Sequence, residues 1–294
     1  MSTLIQWFPG HMAKSLRLIE DNIGLADVII YVLDARAPTA CFNPELNRIA
    51  GNKPVLYILN KADLADDKET AQWVKFFAAK GGGALKLDAK ITNSGKGIIA
   101  AVKKLAAERI AKYAGKSINY TVKGIIVGVP NCGKSTVINN LAGGAKAKVG
   151  NKPGVTRGKQ WLKISDTFDL MDTPGVLWGD LTDQATARRL AFIGCVKDEV
   201  TDTVGLAKLL IAELNNSGYG GLLVKRYKLD ANVFEADGNA VENAFERIAR
   251  KRGCLLSGGA IDAERAAALI LDEFRSGVLG KVTLEKCGVS AAVK

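Results

Sequence analysis

The segment Gly128-Val129-Pro130-Asn131-Cys132-Gly133-Lys134-Ser135 carries glycines, a lysine and a hydroxyl at the spacing that wraps a backbone around a phosphate chain. Glycine lets N–H groups turn toward an anion, and the start of a following helix adds a favourable dipole. Lys134 would reach the β- and γ-phosphates and the Ser135 hydroxyl would ligate Mg2+, with Cys132, Gly133 and Thr136 completing the cradle. A second group, Asn60-Lys61-Ala62-Asp63, has different chemistry. The Asp63 carboxylate can accept from the N1–H and exocyclic amine of guanine, a donor pair that adenine does not present. Asn60 would brace that loop while the Lys61 stem covers the ring face.

Both groups need rigid elements behind them. Residues 124–128 read as a short buried strand and 136–141 as a helix, the strand–loop–helix context the phosphate pattern requires. The apolar, β-branched runs 25–32 and 54–59 read as interior strands of a parallel sheet, whose carboxyl ends host ligands. Residues 168–171 read as a further strand delivering Asp172-Thr173-Pro174-Gly175, about 40 residues after the phosphate loop. There Asp172 would make a second magnesium contact and the Gly175 N–H would sense the γ-phosphate. Thr156, after Pro153-Gly154-Val155, would close over Mg2+ in the triphosphate state; alternatively it is a β-forming residue entering the strand at 161–164. Residues 85–90 are expected to back the base, with Asp88 and Ala89 at the contact; Asp88 reads equally as a surface carboxylate.

The base-reading residues lie roughly 65 positions upstream of the phosphate loop, the reverse of the ordinary GTPase order. The expectation is an α/β fold, a doubly wound P-loop GTPase sheet with circularly permuted strand order. A small all-α domain would follow it. The order Asn-Lys-Ala-Asp, Gly-Val-Pro-Asn-Cys-Gly-Lys-Ser, Pro-Gly-Val-Thr, Asp-Thr-Pro-Gly resembles the YlqF/RbgA family, the ribosome biogenesis GTPase A proteins of bacteria. So do Trp7-Phe8-Pro9-Gly10-His11-Met12-Ala13-Lys14 and Asp34-Ala35-Arg36-Ala37-Pro38, the likeness running from residue 5 to about 180. That resemblance implies a GTP-hydrolysing assembly factor, cycling between GTP and GDP with Mg2+ in late maturation of the large ribosomal subunit. Its partner would be the precursor of that subunit, with its rRNA and proteins.

Many small GTPases place a glutamine after Asp-x-x-Gly to orient water, whereas Gly175 is followed by Val176, Leu177 and Trp178. His11 is the chain's one histidine, and the resemblance implies a catalytic role for it beside Lys134 and Thr156; read alone, it is an exposed residue at a helix start. Asn131 matches the asparagine that helps hold K+ in potassium-activated GTPases, and reads equally well as a hydrogen bond within the loop. The missing glutamine leaves room for a guanine-nucleotide-dependent RNA-binding module whose hydrolysis is incidental. A metabolic P-loop kinase is disfavoured by the guanine-selecting tetrapeptide.

The chain has 294 residues and a net charge of +11. That length allows two cores, a GTPase domain over 1–178 and a helical domain over 182–294 that would bind RNA or ribosome. Helices are expected at 183–193, 202–215, 221–228, 240–251 and 262–274. Residues 1–175 hold 25 Lys+Arg against 14 Asp+Glu, while 176–294 hold 16 of each, so the surplus charge sits on the first half. It includes Lys103, Lys104, Arg109, Lys112 and Lys116 and the cations between Lys146 and Lys163, which suit RNA phosphates and also suit a solvated, solubilising face. No apolar run approaches a membrane span, no signal pattern opens the chain, and five scattered cysteines read as reduced thiols. A cytoplasmic monomer is expected.

Overall fold

A computed structural model describes residues 10–80, 82–92, 94–115, 119–143, 160–178, 183–197, 202–235 and 239–288. After helix α1 (Gly10–Ile23), strands β1 (Val28–Asp34), β2 (Val55–Asn60) and β3 (Gly83–Lys86) alternate with helices α2 (Pro44–Ala50) and α3 (Asp67–Ala79). Helices α4 (Lys96–Leu105) and α5 (Ala107–Ala114) then lead to β4 (Val122–Val127), α6 (Lys134–Leu141), β5 (Gln160–Ser165) and β6 (Phe168–Asp172). The sheet order is β3-β2-β1-β4-β6-β5, parallel except for β5, which runs antiparallel to β6. Every residue of β1 is buried, as expected of a Val/Ile/Leu strand covered by helices on both faces.

The topology positions the site. From β1 the chain steps outward to β2 and β3, then crosses back through α4 and α5 to lay β4 on the other side of β1. Strand order therefore reverses between β1 and β4, and ligands of open parallel sheets bind at that switch point, beyond the strands' carboxyl ends. The register places Asp34 of β1 beside Asn60 of β2 there. The permuted order leaves this geometry intact, because sheet neighbours and not chain order decide what meets. An aromatic group comprising Tyr31, Phe42, Tyr57, Trp73 and Phe77 packs one sheet face against α3.

The helical part comprises α7 (Gln184–Phe192), α8 (Thr203–Asn216), α9 (Gly220–Tyr227), α10 (Ala240–Lys251) and α11 (Ala263–Arg275), close to the expected spans. Asp183, Asp202 and Asp262 cap α7, α8 and α11 by accepting from first-turn N–H groups. Leu206, Leu210 and Leu214 of α8 and Ile270, Leu271 and Phe274 of α11 supply much of its core. The chain beyond α11 then runs back over the sheet domain. Val282 N–H donates to Leu64 O at 3.0 Å and Leu284 N–H to Arg36 O at 2.7 Å. The Glu285 carboxylate, 1% exposed, accepts from the Thr39 and Ala40 N–H groups at 2.6 and 3.0 Å, and Trp73 Nε1 donates to Glu285 O at 2.9 Å. Lys281-Val282-Thr283-Leu284-Glu285 has no helical period, so pattern reading had no means of sending it to the other domain. Among the described residues no helix is long and apolar enough to cross a membrane.

Candidate functional site

The phosphate loop leaves β4 at Gly128 and enters α6 at Lys134, with Asn131 and Gly133 both at positive φ (57° and 100°). Gly133 is required twice over: its backbone is left-handed, and a Cβ there would overlap the Asn60 side-chain nitrogen. Lys134, 7% exposed, turns its ammonium back onto the loop, donating to Gly128 O at 3.1 Å and Val129 O at 2.9 Å. Its charge is thus held where the loop curls, the position from which it would meet phosphate oxygens. Ser135 follows in the first turn of α6, and Asp172 ends β6, the strand beside β4. A hydroxyl and a carboxylate are the hard oxygen donors that Mg2+ takes together with phosphates, so this pair fits that ion.

Gly175 lies against the phosphate loop, where an added Cβ would come within 2.6 Å of Pro130 Cα and 2.9 Å of Lys134 Nζ. Val176 N–H donates to Gly128 O at 3.2 Å, tying this loop to the start of the phosphate loop. Asn43 caps α2 with its oxygen and donates through its nitrogen to Val176 O at 3.3 Å. Thr173 is buried, its hydroxyl donating to Ile126 O at 2.6 Å. Val176 and Leu177 are fully buried, so both take the packing role their apolar side chains suggest.

Asn60 joins the two halves of the site. Its nitrogen donates to Cys132 O at 2.9 Å in the phosphate loop, and its oxygen accepts from Ala89 N–H at 3.2 Å in the base-backing loop. Asp63 follows in a short 3₁₀ turn (Ala62–Leu64). One carboxylate oxygen lies 3.6 Å from the Lys90 ammonium; the other, Oδ1, is buried with no hydrogen-bond partner among the described residues. A buried acceptor without a donor is costly, and two adjacent N–H groups of a guanine edge would relieve it. Lys61 adopts a left-handed backbone (φ 56°) and its ammonium lies 3.0 Å from Asp34 Oδ2. Burial alone would raise the Asp34 carboxyl, but Arg36 and Lys61 outweigh it and hold it well below the usual carboxylate range.

Ala89 is 5% exposed at the base loop, while the Asp88 carboxylate accepts from Lys90 N–H at 2.9 Å and so closes its own turn. Asn131 donates to Gly194 O at 2.7 Å, reaching into the helical part; a K+ ion would have to use its amide oxygen. Thr156 lies outside the described residues, as does the side chain of His11, which occupies the first turn of α1. That helix packs on α2, whose cap residue Asn43 touches the loop after Gly175. Sequence reasoning missed Asn140. Its nitrogen donates to Ala89 O at 3.2 Å and its oxygen accepts from Gly95 N–H at 3.0 Å, so α6 also props the base loop. An asparagine inside a helix, where it is a poor helix former, was the available signal.

Comparison with known proteins agrees with this geometry. A family model described as 50S ribosome-binding GTPase matches residues 123–253, starting at β4 and leaving the base-reading loop upstream of the match. Ribosome biogenesis GTPase A of Bacillus cereus is 42% identical over 96% of this chain and 94% of its own length. Mitochondrial ribosome-associated GTPase 1 of Bos taurus is 32% identical over 96% of this chain and 88% of its own. A GNP-bound crystal structure of YlqF from Thermotoga maritima superposes with a TM-score of 0.63 at 27% identity, covering 93% of this chain and 98% of that one. With the Asn-Lys-Ala-Asp and Gly-Val-Pro-Asn-Cys-Gly-Lys-Ser segments joined by Asn60 in permuted order, and with these relatives matching almost end to end, the chain belongs to the ribosome biogenesis GTPase A family.

Proposed function

We propose that the chain hydrolyses GTP as a nucleotide-dependent switch in late maturation of the large ribosomal subunit, working as a cytoplasmic monomer on the precursor of that subunit. The observation that carries the guanine assignment is the buried Asp63 Oδ1 without a donor, in a loop that Asn60 ties to the phosphate cradle. In this reading Asp63 pairs with the base edge, Lys61 lies on its face, and Ala89 with Asp88 closes the opposite side. Lys134 and the N–H groups of Asn131, Cys132, Gly133, Ser135 and Thr136 hold the phosphates. Ser135, Asp172 and Thr156 would hold Mg2+, which neutralises charge building on the phosphates as the γ-phosphoryl leaves. Asn131 would help hold K+ beside it.

The buried Val176 and Leu177 form an apolar wall where other GTPases keep a polar group. Orientation of water therefore falls to a residue from elsewhere, and His11 is assigned that task. Loss of the γ-phosphate acts first on Gly175, the end of the sheet domain's nucleotide contacts, and re-aims the helical part. The GTP form grips the pre-ribosome and hydrolysis releases it. Exposed cations support RNA contact: Lys103, Lys104 and Lys112 on α4 and α5, and Arg250 and Lys251 on α10.

The same apolar wall favours the second reading, an RNA-binding module with incidental hydrolysis. Turnover measured with purified large and small subunits separates them. Stimulation by large subunits alone, in step with co-sedimentation of the GTP-analogue form, supports the switch; turnover indifferent to both subunits refutes it. Equal rates in KCl and NaCl would remove K+, and stimulated turnover surviving His11→Ala would remove His11.

A further inference from the structure

Arg36 has no nucleotide contact assigned to it, yet its side chain is only 1% exposed and joins two parts of the molecule. Its Nε and Nη2 donate to the two Asp34 oxygens at 2.9 and 2.8 Å, a two-pronged charged pair. Its Nη1 donates to Phe274 O and Arg275 O, both at 3.3 Å, in the last turn of α11. At that helix end the dipole favours a cation. The Phe274 ring lies 5.3 Å from the guanidinium carbon. Asp34 Oδ2 in turn holds the Lys61 ammonium at 3.0 Å.

The fork matters because it sets the plane of the carboxylate, and so the direction in which Oδ2 faces Lys61. The chain after α11 also reaches the loops after β1 and β2: Leu284 N–H donates to Arg36 O, Val282 N–H to Leu64 O, and Thr283 Oγ1 accepts from Asp66 N–H at 3.0 Å. The segment just after Asp63 is thus held by the carboxyl-terminal part of the protein.

We propose that Arg36 is a positioning residue for guanine recognition: by joining the end of α11 to Asp34 it sets where Lys61 lies, so tight binding of the base requires a docked helical part. The proposal rests on the assignment of Lys61 to the base face. Its consequence is that anything prising the end of α11 away from Arg36, including a ribosomal surface, loosens the base by releasing Asp34 and Lys61.

The test uses the full chain, with affinities for fluorescent GDP and, by competition, for tripolyphosphate, which fills the phosphate loop alone. Wild type is compared with Arg36→Lys, Arg36→Gln, Lys61→Ala and the Arg36→Lys/Lys61→Ala double variant. Lysine keeps the charge but loses the fork. Expected is about tenfold weaker GDP binding for Arg36→Lys and for Lys61→Ala, no further loss in the double variant, and unchanged tripolyphosphate affinity. Additive losses of about a hundredfold overturn the proposal, as does wild-type GDP affinity in Arg36→Lys. Equal weakening of both ligands, or failure of both Arg36 variants to fold, makes the role purely structural and overturns it too. Wild-type affinity in Lys61→Ala instead sinks the base-face assignment itself.

Discussion

The phosphate half and the base half of the site are built on different plans. Around the phosphates the chain depends mostly on itself: residues 128–135 are consecutive, three of them hold positive φ angles, and Lys134 folds onto carbonyls five and six positions back. Around the base almost every support comes from a distance. Asn60 bonds residue 132, Asn140 bonds residue 89, and Leu284 and Val282 bond residues 36 and 64. A cradle for an anion needs only backbone N–H groups and a helix start, so a short loop supplies it. A planar base needs walls on several sides, which one loop cannot provide. The phosphate half is therefore shaped largely by its own residues, with Asn60 and Gly194 bonding it from outside, while the base half depends more on how the molecule closes around it.

The sharpest way to break this contrast is Asp63→Asn, which replaces an acceptor by a donor at the base edge. GDP affinity should fall by roughly a thousandfold and xanthosine diphosphate, with an oxygen in place of the amine, should gain, as competition binding would read. Equal losses for both nucleotides would mean that Asp63 does not face the base. Next comes Gly133→Ala, in which a Cβ meets Asn60 and the left-handed backbone is strained. Titration calorimetry should show all guanine nucleotides weakened by about a hundredfold, the only substitution in this series to disturb both halves.

Asn140→Ala removes a brace from the base loop alone. About a tenfold loss for GDP, with tripolyphosphate unaffected, would confirm that α6 serves both halves; a loss on both ligands would show that it serves the phosphate loop. The smallest effect is expected from acid. The unfolded chain ionises Asp34 near its ordinary value of 3.8, whereas Arg36 and Lys61 depress the folded value against the pull of burial. Its stabilising contribution is therefore complete above about pH 4 and disappears as pH falls through the folded value. Unfolding midpoints followed from pH 6 downward should flatten in Asp34→Asn relative to wild type, and an unchanged slope would remove the charge network from the account.

How much was legible follows the same division. The loop geometry of Gly128 to Ser135 was legible because a phosphate-binding pattern is written in consecutive residues. The helices of the carboxyl-terminal part were legible from Asp183, Asp202 and Asp262, because a cap acts within one turn of itself. Arg36 shows its near partner Asp34 but not Phe274 and Arg275, more than two hundred residues away, and Asn140 shows no partner because Ala89 lies about fifty residues back. Asn131 reads as a cation ligand or as a bond within its own loop, and its amide instead donates to Gly194 O in the helical part.

By itself the sequence determined five of the six strands, the helices from residue 183 on, and the inverted order of the two motifs proposed to read the nucleotide, all set by periodicity, capping and turn chemistry over a few neighbouring residues. Only the tertiary structure decided that Asn60 would clasp the phosphate loop, that Asp34 would be shared by two cations, and that residues 281–285 would return to the sheet domain. The physical reason is that a buried charge or an extended backbone can be satisfied by any complementary group the fold brings within about 3 Å, and distance along the chain says nothing about which one arrives.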